Sequence, residues 1–220
     1  MPEGQSNWSQ DFYDKVKPIK LKDPLAYFLG SMEEGELFVF KYADAIKLAG
    51  HSCPAVSGAY KITAKALSAL YGDEIPVRGE IRVAILGKPT DMAYGPMSQV
   101  ISLITGAAPI TGFGGLGRRF RRRDLLVFDE REFKYNTFIF QRMDNKKMVE
   151  VTYNSDVIPE DPALGELAPI VMSGQATEGE KKAFKKAWQD KVKKVLLEDD
   201  LVPGLFEVRE ITDYRFPTIN

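Results

Sequence analysis

The chain has 220 residues, of which 44% are hydrophobic and 11% aromatic, enough to pack a core, so one domain or one domain with an appendage is expected rather than a disordered polypeptide. Its 30 basic and 31 acidic residues leave a formal net charge of -1, which excludes a global field drawing it to nucleic acid or to an anionic membrane. A single cysteine excludes an intrachain disulfide and an all-cysteine zinc ribbon.

Residues 1–34 mix Pro18, Pro24 and scattered charges and read as an arm leading into a short helix near 25–29. A strand at 37–40 follows, then a brief helix at 42–48 that Gly50 stops. The chain restarts at once, with Ser52 as the expected N-cap and Pro54 in the first turn. Val56, Tyr60, Ala64, Leu67 and Tyr71 then repeat at helical steps as far as Gly72. Residues 80–86 alternate as a half-buried strand does, and Met97, Val100, Ile101 and Ile104 mark a helix closed by Gly106. Three strands, 125–128, 136–141 and 147–153, are expected to meander, the last two joined by a turn at Asp144-Asn145. A proline-rich connection (Pro159, Pro162, Pro169) precedes a long helix with a capping box, Thr177 with Glu180, and an apolar stripe of Phe184, Trp188, Val192 and Val195. Residues 206–211 add an edge strand. The fold class is therefore α+β, an antiparallel sheet packed by helices, with an arm at 1–34, a core at 35–155 and a C-terminal helical extension at 156–220.

The only histidine and the only cysteine lie two positions apart, in Gly50-His51-Ser52-Cys53-Pro54. Imidazole and thiolate on one turn make a soft chelate suited to zinc or another transition metal, or an activated thiol at a helix N-terminus. The plain alternative is a buried cysteine acting as a small hydrophobe and a histidine that caps or hydrogen-bonds. Structural zinc wants four protein ligands, so a metal site here is open or shared with a second copy of the chain.

The same residues, followed by Ala59-Tyr60-Lys61, resemble the GHxCPxxxxGYR signature of the FmdE family, named after a component of the formylmethanofuran dehydrogenase operon. A second likeness covers residues 98–106, ending in Leu103-Ile104-Thr105-Gly106, then the glycine-rich stretch 112–117 and the strand at 124–128; together they span roughly residues 35–155. The resemblance implies an FmdE-like α+β core, a homodimer, and metal binding at His51 and Cys53. It implies ligand-contacting roles for Tyr60 and Tyr94. The chain departs from the family at Ala107-Ala108 and near Ala93-Pro96, where members carry further cysteines, and it lacks their C-terminal cysteine-rich zinc module.

Arg118, Arg119, Arg121, Arg122 and Arg123 crowd six positions after the glycine-rich run, without the Gly-Lys-Ser/Thr ending of a nucleotide-hydrolase loop. The readings are a solvated or intersubunit salt-bridging loop, a site in which Arg118 and Arg119 hold a small anionic ligand, or a nucleic-acid contact. The lysine set from Lys181 to Lys194 is interleaved with acids and reads as a solvated face rather than a polyanion surface. Asp91 either completes a metal site or forms a turn.

The expected function is metal binding at an open His-x-Cys site. In an enzyme that metal would polarise a carbonyl or activate water, with the arginine loop holding an anionic substrate. The alternatives are a non-enzymatic protein binding a cofactor such as haem through the same donors, and a metal-free thiol sensor. Met1-Pro2-Glu3-Gly4 does not begin a secretory signal and no apolar run is long enough to span a bilayer, so a cytoplasmic setting is expected.

Overall fold

A computed structural model describes residues 6–218. The elements in order are β1 (Ile19–Leu21), α1 (Pro24–Phe28), β2 (Phe38–Phe40), α2 (Tyr42–Ala49), α3 (Pro54–Tyr71), β3 (Ile81–Ile85), α4 (Tyr94–Thr105), β4 (Leu126–Phe128), β5 (Thr137–Arg142), β6 (Met148–Tyr153), α5 (Pro162–Met172), α6 (Glu178–Leu197) and β7 (Phe206–Ile211). The fold is α+β. β1 and β2 form a small antiparallel pair, and the main sheet runs β4-β3-β5-β6-β7.

The expected meander is corrected at its first step. β4 does not neighbour β5; it pairs in parallel with β3, Val83 opposite Leu126, while β5 pairs antiparallel on the other side of β3. Helix α4 supplies the crossover that a parallel pair needs. The chain from 129 to 136 then passes over the end of β3, held there by Asp129 N–H to Ile85 O (2.8 Å) and Lys134 N–H to Leu86 O (3.2 Å). β3 thereby sits inside the sheet, and Ile81, Val83, Ala84 and Ile85 are fully buried.

The proline-rich connection is corrected too, since it contains α5. Asp161 accepts a bond from Ala163 N–H and Pro162 takes a first-turn position, where its missing N–H costs nothing. The capping box at Thr177 and Glu180 opens α6 as expected.

One face of the sheet carries the main core, in which Val56, Tyr60 and Ile62 of α3, Met97 and Ile101 of α4 and Val192 and Val195 of α6 meet Val83, Phe138 and Val151. Phe12, Tyr13, Val16, Ile19 and Leu21 belong to the same cluster. The opposite face has a small apolar patch of Ala84, Leu86 and Ile139, covered by Tyr214 and Phe216. Among the described residues no helix is long and apolar enough to cross a membrane.

The C-terminal end of α6 is docked by charge. Asp199, its side chain only 6% exposed, takes Lys61 Nζ at 2.8 Å and Lys65 Nζ at 2.7 Å, both from α3. Burial alone would push its pKa up, but the two lysine contacts win and hold it below the usual carboxylate range. A carboxylate depressed in the folded state contributes stability at neutral pH that is lost as pH falls below about 4. Asp199→Asn should accordingly lower stability at neutral pH and shrink the loss on acidification. Urea denaturation of both proteins at several pH values measures this, and equal acid sensitivity would contradict the role of the pair.

Candidate functional site

Gly50 ends α2 in the left-handed conformation (φ 75°), which glycine adopts without strain, and so turns the chain into His51. The N-cap of α3 is Cys53, not Ser52. Pro54 takes the first helical position and leaves Cys53 extended, with its Sγ accepting from Val56 N–H at 3.4 Å. Ser52 is thereby free to bond elsewhere, and its Oγ meets the Tyr42 hydroxyl at 2.8 Å.

Several side chains from distant elements hold this turn. Trp188 Nε1 donates to Ser52 O at 2.9 Å, Gln189 Nε2 reaches the same oxygen at 3.5 Å, and Tyr13 donates to Gln189 Oε1 at 2.8 Å. Tyr153 donates to Pro54 O at 2.9 Å. Burial raises the pKa of Tyr42 and Tyr153, so both phenols keep their protons across the physiological range.

His51 is exposed and its Nδ1 lies 3.0 Å from Ala49 O. A carbonyl only accepts, so this bond places a proton on Nδ1, and in the neutral ring the lone pair is then on Nε2, the arrangement found in metal-ligating histidines. Cys53 is buried. The thiol and imidazole are donor types that suit zinc. Among the described residues no three His, Cys, Asp or Glu side chains come together to hold a metal ion. Asp91 is engaged in a turn, accepting from Lys88 N–H at 2.7 Å.

Tyr60 and Tyr94 are both buried, with their hydroxyls committed to backbone groups. Tyr60 is 1% exposed, donates to Phe40 O (2.9 Å) and Lys17 O (3.1 Å), and packs edge-on against Tyr42 with ring centres 5.6 Å apart. Tyr94 is fully buried; its oxygen accepts from Asn136 N–H (2.9 Å) and donates to Lys134 O (3.0 Å). Asn136 O accepts from Tyr153 N–H at 3.0 Å, and Tyr153 bonds Pro54, so Tyr94 connects to the turn through three hydrogen bonds.

The arginines are elsewhere. Arg118 sits at the tip of a tight turn closed by Leu116 and Arg119 and lines a cleft of about 850 Å³ beside the start of β3. Arg119 turns away and stacks on Phe120 and Phe28, 4.6 and 5.7 Å from the ring centres. The cleft adjoins the end of β5 that Arg142 bonds to Leu70 O, at the last turn of α3. His51 and Cys53 stand before its first turn, and 18 residues of helix separate the two ends by about 27 Å. Within one chain, then, the arginine loop does not meet the His-Cys turn.

Sequence patterning did not single out Tyr42, Tyr153 or Gln189, and it read Trp188 as a core residue of a stripe. Ser52 and Trp188 are 136 positions apart, and no local spacing signals such a bond. Compared with known proteins, the chain matches no family model and no curated sequence, so the likeness to FmdE rests on the motif residues alone.

Proposed function

We propose that this is an FmdE-like metal-binding protein in which His51 and Cys53 supply two donors of an open transition-metal site, zinc first, in a cytoplasmic homodimer. The observation that carries the reading is the His51 ring, pinned through Nδ1 to Ala49 O with Nε2 as the lone-pair donor of the neutral ring, on a turn shared with the only thiol. Bonds to Ser52 and Pro54 from Tyr42, Trp188 and Tyr153 fix the backbone around both donors, which lowers the ordering cost of ligation. The other coordination positions fall to water, an anionic ligand or a second copy of the chain.

Elemental analysis of zinc-loaded protein tests this. His51→Ala and Cys53→Ser should each reduce bound metal well below one ion per chain. The melting temperature should barely change, because serine is itself a good N-cap for Val56 N–H and an open site adds little folding energy. Unchanged stoichiometry in both variants would defeat the assignment, and a coloured protein with a Soret band would replace zinc by haem. Light scattering giving a monomer mass at every concentration would remove the dimer.

A further inference from the structure

The 850 Å³ cleft at the far end of α3 is lined by six guanidinium groups, those of Arg78, Arg82, Arg118, Arg121, Arg122 and Arg123. Its acidic lining is Glu80 and Asp124, and Asp124 is paired with Arg121. Arg78 and Arg122 both bind one buried carboxylate, Asp23, at 3.0 and 2.6 Å. One negative charge thus serves two positive ones, Arg122 buried and Arg78 partly exposed. Arg122 is locked in place because its NH1 occupies the space a side chain would need at Gly79, where an added Cβ would lie 1.4 Å away.

Two further observations show that this positive charge is not met within the chain. Among the described residues, the buried side-chain nitrogen and oxygen atoms without a hydrogen-bond partner are Arg78 Nε and Arg122 NH1, both belonging to arginines that line this cleft. Orphaned buried donors are rare and call for a physical account. Arg82, Arg118 and Arg123 have no carboxylate partner among the described residues. Arg82 is held only by the face of Phe216, 4.3 Å away, and by Pro217 O at 3.4 Å, and Arg123 by Gly112 O at 3.3 Å. Guanidinium groups this crowded repel one another unless an anion lies among them, and a cleft focuses their field.

We propose that this cleft is a second, independent binding site, for the diphosphate group of a small molecule. The guanidinium groups reach it from two separate stretches of chain, 78–82 and 118–123, and such planar forks suit phosphate oxygens bidentately. Six guanidinium groups are more than the oxygens of one phosphate can engage bidentately, and the volume is that of a small-ligand site. Ile110, Phe120 and Phe216 on the rim offer apolar surface to the rest of such a molecule. The site does not rest on the metal reading, since the His-Cys turn lies at the opposite end of α3.

Titration calorimetry with inorganic pyrophosphate, orthophosphate, citrate and a short single-stranded RNA tests this on the intact protein. Pyrophosphate should bind one to one, more tightly at low salt, and orthophosphate should be weaker by about tenfold or more. Arg118→Glu, at an exposed turn tip, and Arg82→Met, which keeps the apolar contact with Phe216, should each weaken pyrophosphate by about tenfold or more with melting temperatures unchanged. Cys53→Ser should bind pyrophosphate like the wild type, so that failure here and failure of the metal site are told apart. Equal affinity in wild type and arginine variants, no binding at millimolar pyrophosphate, or preference for citrate or RNA would each overturn the proposal.

Discussion

Replacing Asp23 by Ala should destabilise the protein by about 3–5 kcal/mol, the cost of removing one partner from a buried ion pair and leaving the other charge uncompensated. Asp23 is 3% exposed, holds both Arg78 and Arg122, and also caps α1 by accepting from Leu25 N–H at 3.0 Å. In a domain of this size the loss corresponds to a fall in Tm of roughly 10 °C. Asp23→Asn keeps an oxygen for the cap but not the charge, and should still lose most of the stability. Adding Arg122→Met to Asp23→Ala should recover part of it, because the more buried of the two stranded charges is then gone. Urea denaturation of the four proteins measures all three effects. A loss below about 1 kcal/mol for Asp23→Ala, the range of a cap alone, would show that the ion pairs with Arg78 and Arg122 contribute nothing.

Gly58→Ala should destabilise by about 1–3 kcal/mol, the usual cost of overpacking a core, although alanine in place of glycine inside a helix ordinarily stabilises by nearly 1 kcal/mol. The reason is the close approach of α3 to β6: a Cβ at Gly58 would lie 2.4 Å from Tyr153 Cε1 and 2.9 Å from two more ring atoms. That ring has nowhere to go. It is 2% exposed, stacked on Phe206 with centres 4.9 Å apart, and tied through its hydroxyl to Pro54 O. Relieving the clash therefore means moving the turn that carries His51 and Cys53, and metal content should fall along with stability. A Gly58→Ala protein more stable than the wild type in denaturant would show that the contact is loose.

The lysine-rich helix α6 carries part of its positive charge in ion pairs along its own length. Lys181 pairs with Glu178, Lys186 with Asp190 and Lys193 with Glu198, at 2.8, 2.5 and 3.0 Å, while Val192 and Val195 face the core. Interleaved charges of both signs on the outer face of an amphipathic helix are what solvent contact requires.

What the amino-acid sequence determined by itself is what short spacing controls. Gly50, Gly72 and Gly106 end α2, α3 and α4, and the Thr177–Glu180 capping box opens α6, because these signals act through bonds spanning three or four residues. The apolar stripes of α3, α4 and α6 likewise follow from one buried face, whereas β3, read from its alternation as half-buried, is covered on both faces. The coincidence of His51 with Cys53 was visible in the sequence for the same reason. Only the tertiary structure decided that β4 runs parallel to β3 and that α5 forms among prolines. It also decided that Trp188 reaches back to Ser52, that Arg118 and Arg119 part company, and that Arg78 and Arg82 join the arginine loop around one cleft. The physical reason is that strand order, long-range caps and charge clusters depend on which surfaces compete to be buried against one another. That competition joins residues tens to hundreds of positions apart, and no local periodicity encodes it.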